Sequence, residues 1–122
     1  MARILTIDDD PFFLEVLLDL LLEAGYQAIG THESLTGFEL AKQQKPDLII
    51  CDVRMPILDG FGFLKRLRQE PVLAQIPFIF LTAEKPETHR GRALALGANA
   101  YLRKPFAIAQ LMQMIETQVI RS

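Results

Sequence analysis

A chain of 122 residues, half of them hydrophobic, carries enough apolar side chain for one core and predicts a single domain over 1–122. Thirteen basic residues against fifteen acidic ones leave a net charge of −2 with no basic stripe, which argues against direct nucleic-acid contact. The single cysteine excludes an internal disulfide, the start "MARIL" lacks the apolar core of a signal peptide, and the longest greasy stretch, "FFLEVLLDLLLEAG", is broken by acids and too short to span a bilayer; a cytoplasmic chain without membrane contact is expected.

The first predicted strand, Arg3 to Ile7, runs into three consecutive acids and a proline, "ILTIDDDP". Clustered carboxylates repel one another and resist losing water, so a fold keeps them only where a cation or a helix start offsets the cost. Helix one follows from Pro11 to about Ala24 and is stopped by Gly25; Asp10 suits its N-cap, and Pro11 its first position, where a missing N–H costs nothing. At about 100° per residue, Phe13, Val16, Leu17, Leu20, Leu21 and Ala24 gather on one face for a sheet, while Leu14, Leu18 and Leu22 form a second, exposed stripe. That stripe is read as a surface for a kinase helical bundle or for a homodimer through helix one and helix five, the competing cover being Ile108, Met112 and Val119 of helix five itself.

Strand two spans Gln27 to Thr31, and helix two runs from about Ser34 to Gln44, ending before Pro46. Strand three, Leu48 to Cys51, leads into Asp52. Helix three covers about Gly60 to Gln69, entered through a turn flanked by Gly60 and Gly62, and its "KRLRQE" run is expected to be a solvated face. Strand four, Phe78 to Leu81, leads into Thr82; helix four lies between Pro86 and Leu96 with Gly97 as its stop; strand five, Ala100 to Arg103, leads into Lys104; helix five follows Pro105 to the end of the chain. Cys51 is expected as a packed small hydrophobe, and His32 and His89, which show no metal-ligand spacing, as surface residues.

Strands that alternate strictly with helices imply a parallel sheet covered on both faces, for which 2-1-3-4-5 is a common order. Ligands of such sheets sit beyond the carboxyl ends of the strands where the order reverses, here between strands one and three. Asp8, Asp9, Asp52, Thr82 and Lys104 all stand at strand ends on that edge. Mg²⁺ takes oxygen ligands and is usually held by one or two carboxylates plus a phosphate, a role that suits Asp9 and Asp52. A carboxylate also serves as nucleophile toward phosphorus, while an ammonium and a hydroxyl bind phosphoryl oxygens. The set points to phosphoryl transfer.

The motifs "DD", "DVRMPILDG", "LTA" and "KPF", in this order and at these spacings, resemble the receiver domain of two-component response regulators over essentially the whole chain. The resemblance implies a flavodoxin-like (βα)5 doubly wound α/β sandwich. It makes Asp52 the acceptor of a phosphoryl group from a histidine kinase or phosphotransfer protein, with Asp9, Asp52 and the main-chain carbonyl of Arg54 on Mg²⁺, and Asp8 orienting a metal-bound water. Thr82 and Lys104 would bind phosphoryl oxygens, the peptide between Lys104 and Pro105 would be cis, and Tyr101 would be the aromatic switch, rotating inward as Thr82 is drawn to the phosphoryl group and reshaping the helix four, strand five, helix five face for a downstream effector. Arg54 and Glu84, each two residues beyond a key side chain, would stand over the phosphoryl group and could pair. Such a domain loads and unloads itself rather than turning over a metabolite. It is expected either alone or as part of a larger regulator with an output domain. A haloacid-dehalogenase-type phosphatase, using the Asp8-x-Asp10 pair, is the competing enzyme class; its characteristic loop continues with small residues where this chain has Pro11, Phe12 and Phe13.

Overall fold

The computed structural model describes residues 2–120. Strands β1 (Arg3–Ile7), β2 (Gln27–Thr31), β3 (Leu48–Cys51), β4 (Phe78–Thr82) and β5 (Ala100–Arg103) alternate with helices α1 (Pro11–Glu23), α2 (Ser34–Gln44), α3 (Gly60–Gln69), α4 (Pro86–Ala95) and α5 (Ile108–Ile120). All the strand pairs are parallel, in the order β2-β1-β3-β4-β5, with Ile7 beside both Thr31 and Cys51. The expected architecture is therefore the observed one, with β4 one residue longer and α5 starting three residues after Pro105. The last two residues expected in α5 lie outside the described ones.

The two faces of the sheet bury separate cores. Phe38 and Ala41 of α2, Phe63, Leu64 and Leu67 of α3 and Ala93 of α4 pack with Leu5, Ile7, Ile49, Phe78 and Phe80 on one side. Leu17 and Leu21 of α1 and Leu111 and Ile115 of α5 pack with Ile4, Leu48, Ile50, Ile79 and Leu81 on the other. Covering both faces is why β3 reads as an unbroken apolar run, and why Cys51 is a wholly buried packing residue whose thiol burial pushes up, well clear of a reactive thiolate.

Helix α1 corrects the expected stripe. Leu14 is buried at 7 % exposure and Leu18 is half-buried, because β2 passes beneath them with a glycine. A Cβ on Gly30 would stand 2.9 Å from Leu14 Cδ1 and 3.2 Å from Leu18 Cδ1, so the two leucines fill the hollow that Gly30 leaves. Leu22 is exposed, but so are Phe12 and Val16, and Val16 had been assigned to the sheet. Met112 and Val119 pack on the core that α1 shares, whereas Ile108 faces outward.

The "KRLRQE" run is also only partly solvated. Arg68 is half-buried and donates to the carbonyls of Ala74, Ile76 and Gly97, pinning the connection after α3 to the turn after α4. A guanidinium has enough fixed donors to satisfy several carbonyls at once.

Candidate active site

The site is assembled by ladder bonds that continue just past the strand ends. Asp8 N–H donates to the Thr31 carbonyl at 3.2 Å, Asp52 N–H to the Ile7 carbonyl at 3.0 Å, and Lys104 N–H to the Thr82 carbonyl at 2.8 Å. Helix caps fix the loops beyond. Asp10 accepts from the N–H groups of Phe12 and Phe13, the expected cap of α1, and Asp59 caps α3 by accepting from Gly62 N–H at 2.8 Å. Gly60 donates to the Val53 carbonyl at 2.8 Å, and any Cβ there would collide with the Asp52 carbonyl oxygen. The start of α3 can approach the end of β3 this closely only through glycine.

The expected side chains converge. Carboxylate oxygens of Asp8, Asp9 and Asp52 lie within 4.8 Å of one another. Lys104 Nζ stands 2.7 Å from Asp8 Oδ2 and 3.3 Å from Asp52 Oδ2, with its ammonium 3.9 Å from the Phe13 ring centroid. The Lys104–Pro105 peptide is cis, as expected. Val53 N–H donates to Asp52 Oδ1 at 2.6 Å, and Asp10 N–H to Asp8 Oδ1 at 3.0 Å. Asp9 is exposed, whereas Asp8 and Asp52 are buried. Burial pushes the Asp8 carboxyl above its usual range, against the pull of its hydrogen bonds from Lys104 and the Asp10 N–H. Three carboxylates against one ammonium, with oxygen donors only, fit a hard divalent cation such as Mg²⁺.

Thr82 is buried at the end of β4, and its hydroxyl oxygen accepts from Glu84 N–H at 3.3 Å. Tyr101 stands inward: its ring is buried beside Phe80, and its hydroxyl donates to the Glu84 carbonyl at 2.8 Å. The switch expectation placed this ring outside until Thr82 moved. In the present structure the loop after β4 already offers the carbonyl that receives the hydroxyl.

Arg54 and Glu84 do pair, Nε to Oε1 at 2.7 Å, at the edge of a cleft of about 500 Å³ that Asp9, Val53, Asp59, Phe61 and Arg92 also line. His89, expected at the surface, is instead drawn against this cleft. It lies on α4, half-buried, with Nε2 3.7 Å from Glu84 Oε1 and its ring 5.5 Å from that of Phe61. Its position seven residues beyond Thr82, in the first turn of α4, gave no motif signal. His32 is exposed, as expected.

Acids, a threonine and a lysine thus meet on the switch-point edge of this fold. The response regulator receiver domain family model matches residues 4–116, and the chain belongs to that family. It is 35% identical over 115 residues to protein PilH of Pseudomonas aeruginosa, covering 94% of this chain and 95% of PilH. It is equally 35% identical over 122 residues to the DNA-binding dual master transcriptional regulator RpaA of Synechocystis, covering 100% of this chain but 51% of RpaA. The chain thus spans about half the length of several curated relatives. Among solved structures, the Vibrio cholerae chemotaxis protein CheY4 superposes with a TM-score of 0.90 at 29% identity, covering 97% of this chain and 98% of that one. A response regulator receiver domain protein of Clostridium thermocellum gives 0.92 at 28% identity, covering 99% and 96%. The chain is a receiver domain of two-component signalling; phosphorylation, Mg²⁺ binding at an acidic pocket and engagement of histidine kinases and effectors are general features of the family.

Proposed function

We propose that Asp52 accepts a phosphoryl group from a phosphohistidine, and that residues 1–122 act as one switch unit, alone or within a longer regulator, in the cytoplasm. The observation that carries this reading is the Lys104 ammonium between the Asp8 and Asp52 carboxylates. An Asp52 oxygen attacks phosphorus, the P–N bond to the donor imidazole breaks, and an acyl phosphate forms; later hydrolysis breaks its P–O bond and restores the carboxylate. Lys104 and Thr82 are suited to hold phosphoryl oxygens as charge builds on them. Asp9, Asp52 and the Arg54 carbonyl would hold Mg²⁺, with Asp8 orienting a water on it; the bound ion supplies positive charge that offsets the repulsion between carboxylates and phosphoryl group.

Because Tyr101 is already inward, the phosphoryl group would act by tightening a seat that exists rather than by opening one. A bond donated by the Thr82 hydroxyl to a phosphoryl oxygen would pull on the same oxygen that accepts from Glu84 N–H and so bias the loop after β4, and with it the α4, β5, α5 face that an effector would read.

Incubation with Mg²⁺ and acetyl phosphate should label the wild type, and Asp52→Asn should abolish stable labelling. Labelling that survives Asp52→Asn but is lost in Asp8→Asn would overturn this assignment in favour of the phosphatase reading. Asp9→Ala should retain the fold and weaken Mg²⁺ binding in a titration, since one direct ligand is gone.

A further inference from the structure

Ile57 carries two unfavourable features at one position. Its side chain is 90% exposed, more than any other large apolar residue among the described ones. Its φ of +73° also lies in the left-handed region, where a β-branched residue is an outlier. A turn three residues long imposes this conformation: Leu58 N–H donates to the Pro56 carbonyl at 2.7 Å, the bond of a γ-turn with positive φ at its centre. Glycine would occupy the same φ without a Cβ penalty. Lys45, the other described non-glycine residue with positive φ, closes α2 with a polar side chain in water; Ile57 puts a hydrocarbon there instead.

The surroundings give the hydrocarbon a use. Ile57 and the exposed Leu35 line a groove of about 320 Å³ together with Asp9, His32, Glu33, Ser34 and Pro56. Asp9 and Pro56 also line the cleft beside Arg54 and Glu84, so the groove and the acid site share a rim. Asp52 itself is only 9% exposed. A small phosphodonor needs no contact with Ile57 or Leu35 to reach such a carboxylate, but a protein that presents the phosphoryl group on a side chain must lay its own surface across the rim.

We propose that Ile57 is an apolar anchor for the phosphohistidine-bearing donor protein, held outward by the strained turn so that it enters a hollow on the donor as the phosphoryl group meets Asp52. The proposal rests on the reading of Asp52 as acceptor. The exposure at one rim residue is then a local stability cost that is recovered when the donor covers the side chain, while the strained turn keeps that side chain presented.

The test compares two donors on the full chain: acetyl phosphate, and the histidine kinase of the source genome that labels the wild type fastest in a phosphotransfer screen. Ile57→Gly and Ile57→Asn, both at ease at positive φ, should label with acetyl phosphate at the wild-type rate, melt a few degrees higher, and lose on the order of tenfold in the rate of transfer from the kinase. Ile57→Leu should keep most of that transfer. Kinase transfer to Ile57→Gly and Ile57→Asn at the wild-type rate would overturn the proposal. So would a lower melting temperature for Ile57→Gly, which would give the isoleucine a role in the fold, or loss of a dimer in sedimentation with transfer unchanged, which would make the anchor's partner a second copy. If no kinase outpaces acetyl phosphate on the wild type, the anchor has no donor and the proposal fails, while labelling at Asp52 by acetyl phosphate still upholds the acceptor reading.

Discussion

Glu84 joins three groups that the sequence keeps far apart. Its carboxylate holds Arg54 from the loop after β3, its N–H meets the Thr82 hydroxyl, and its carbonyl receives the Tyr101 hydroxyl from β5. The Arg54 side chain is largely in solvent, so the pair contributes little to folding. It edges the cleft that Asp9 and Val53 also line, and with Asp52 proposed as acceptor that cleft is the route a water would take to the acyl phosphate. Arg54→Ala and Glu84→Ala should each release label several-fold faster than wild type after kinase and donor are removed; equal decay in all three would dismiss the pair as a gate. Tyr101 gives a separate, pH-based outcome. Burial, followed by the charges of Glu84 and Asp52, raises its phenol from 10.0 to about 12. The folded chain therefore keeps a proton that the unfolded chain releases, and the resulting stability is present below pH 10 and lost as pH rises toward about 12. Tyr101→Phe should flatten that alkaline loss, of order 2 kcal/mol, in denaturant midpoints measured across the window. The Arg54–Glu84 pairing was legible because the receiver resemblance sets these two oppositely charged residues over one site. The inward ring was not, because it depends on where a loop carbonyl points, and side-chain identity does not encode that.

At the scale of elements, α1 shows what periodicity can and cannot say. The carboxylate cap and proline start were readable from "DDDP" because capping is local chemistry between neighbours in sequence. Asp10→Ala should lower stability by about 1 kcal/mol without loss of Mg²⁺ affinity. Which leucines are covered depends instead on β2, and specifically on Gly30, whose missing side chain admits Leu14 and Leu18. A helical wheel centres the buried face on the greasiest arc, whereas the sheet beneath is twisted and its edge strand shifts that arc toward Leu14. Leu14→Ala should accordingly cost about 2–4 kcal/mol in chemical denaturation and Val16→Ala within about 0.5 kcal/mol, the reverse of the order that the wheel implies. Likewise, the cationic run of α3 looked solvated until the fold supplied carbonyls for Arg68 from two other connections.

The whole molecule was the most legible level, since strict alternation of strand and helix leaves few topologies, and the strand-end rule then places Asp8, Asp52 and Lys104 together before any contact is known. The outer surface was the least legible, and it governs whether two copies associate. With Leu14 buried and Leu18 half-covered over Gly30, the outward apolar residues of α1 are Phe12, Val16 and Leu22, interleaved with Glu15, Asp19 and Glu23, while α5 adds Ile108. A stable symmetric pairing needs on the order of 1,200 Å² of buried surface with an apolar centre; the Phe12–Val16 pair and Leu22, flanked by like-charged carboxylates on both copies, are too small a centre and add repulsion. The unphosphorylated chain should sediment as a monomer at micromolar concentration, and Val16→Lys should leave its mass and its labelling by acetyl phosphate unchanged. A wild-type dimer that Val16→Lys dissociates would instead restore α1 and α5 as a self-association face, with Val16 rather than Leu14 at its centre.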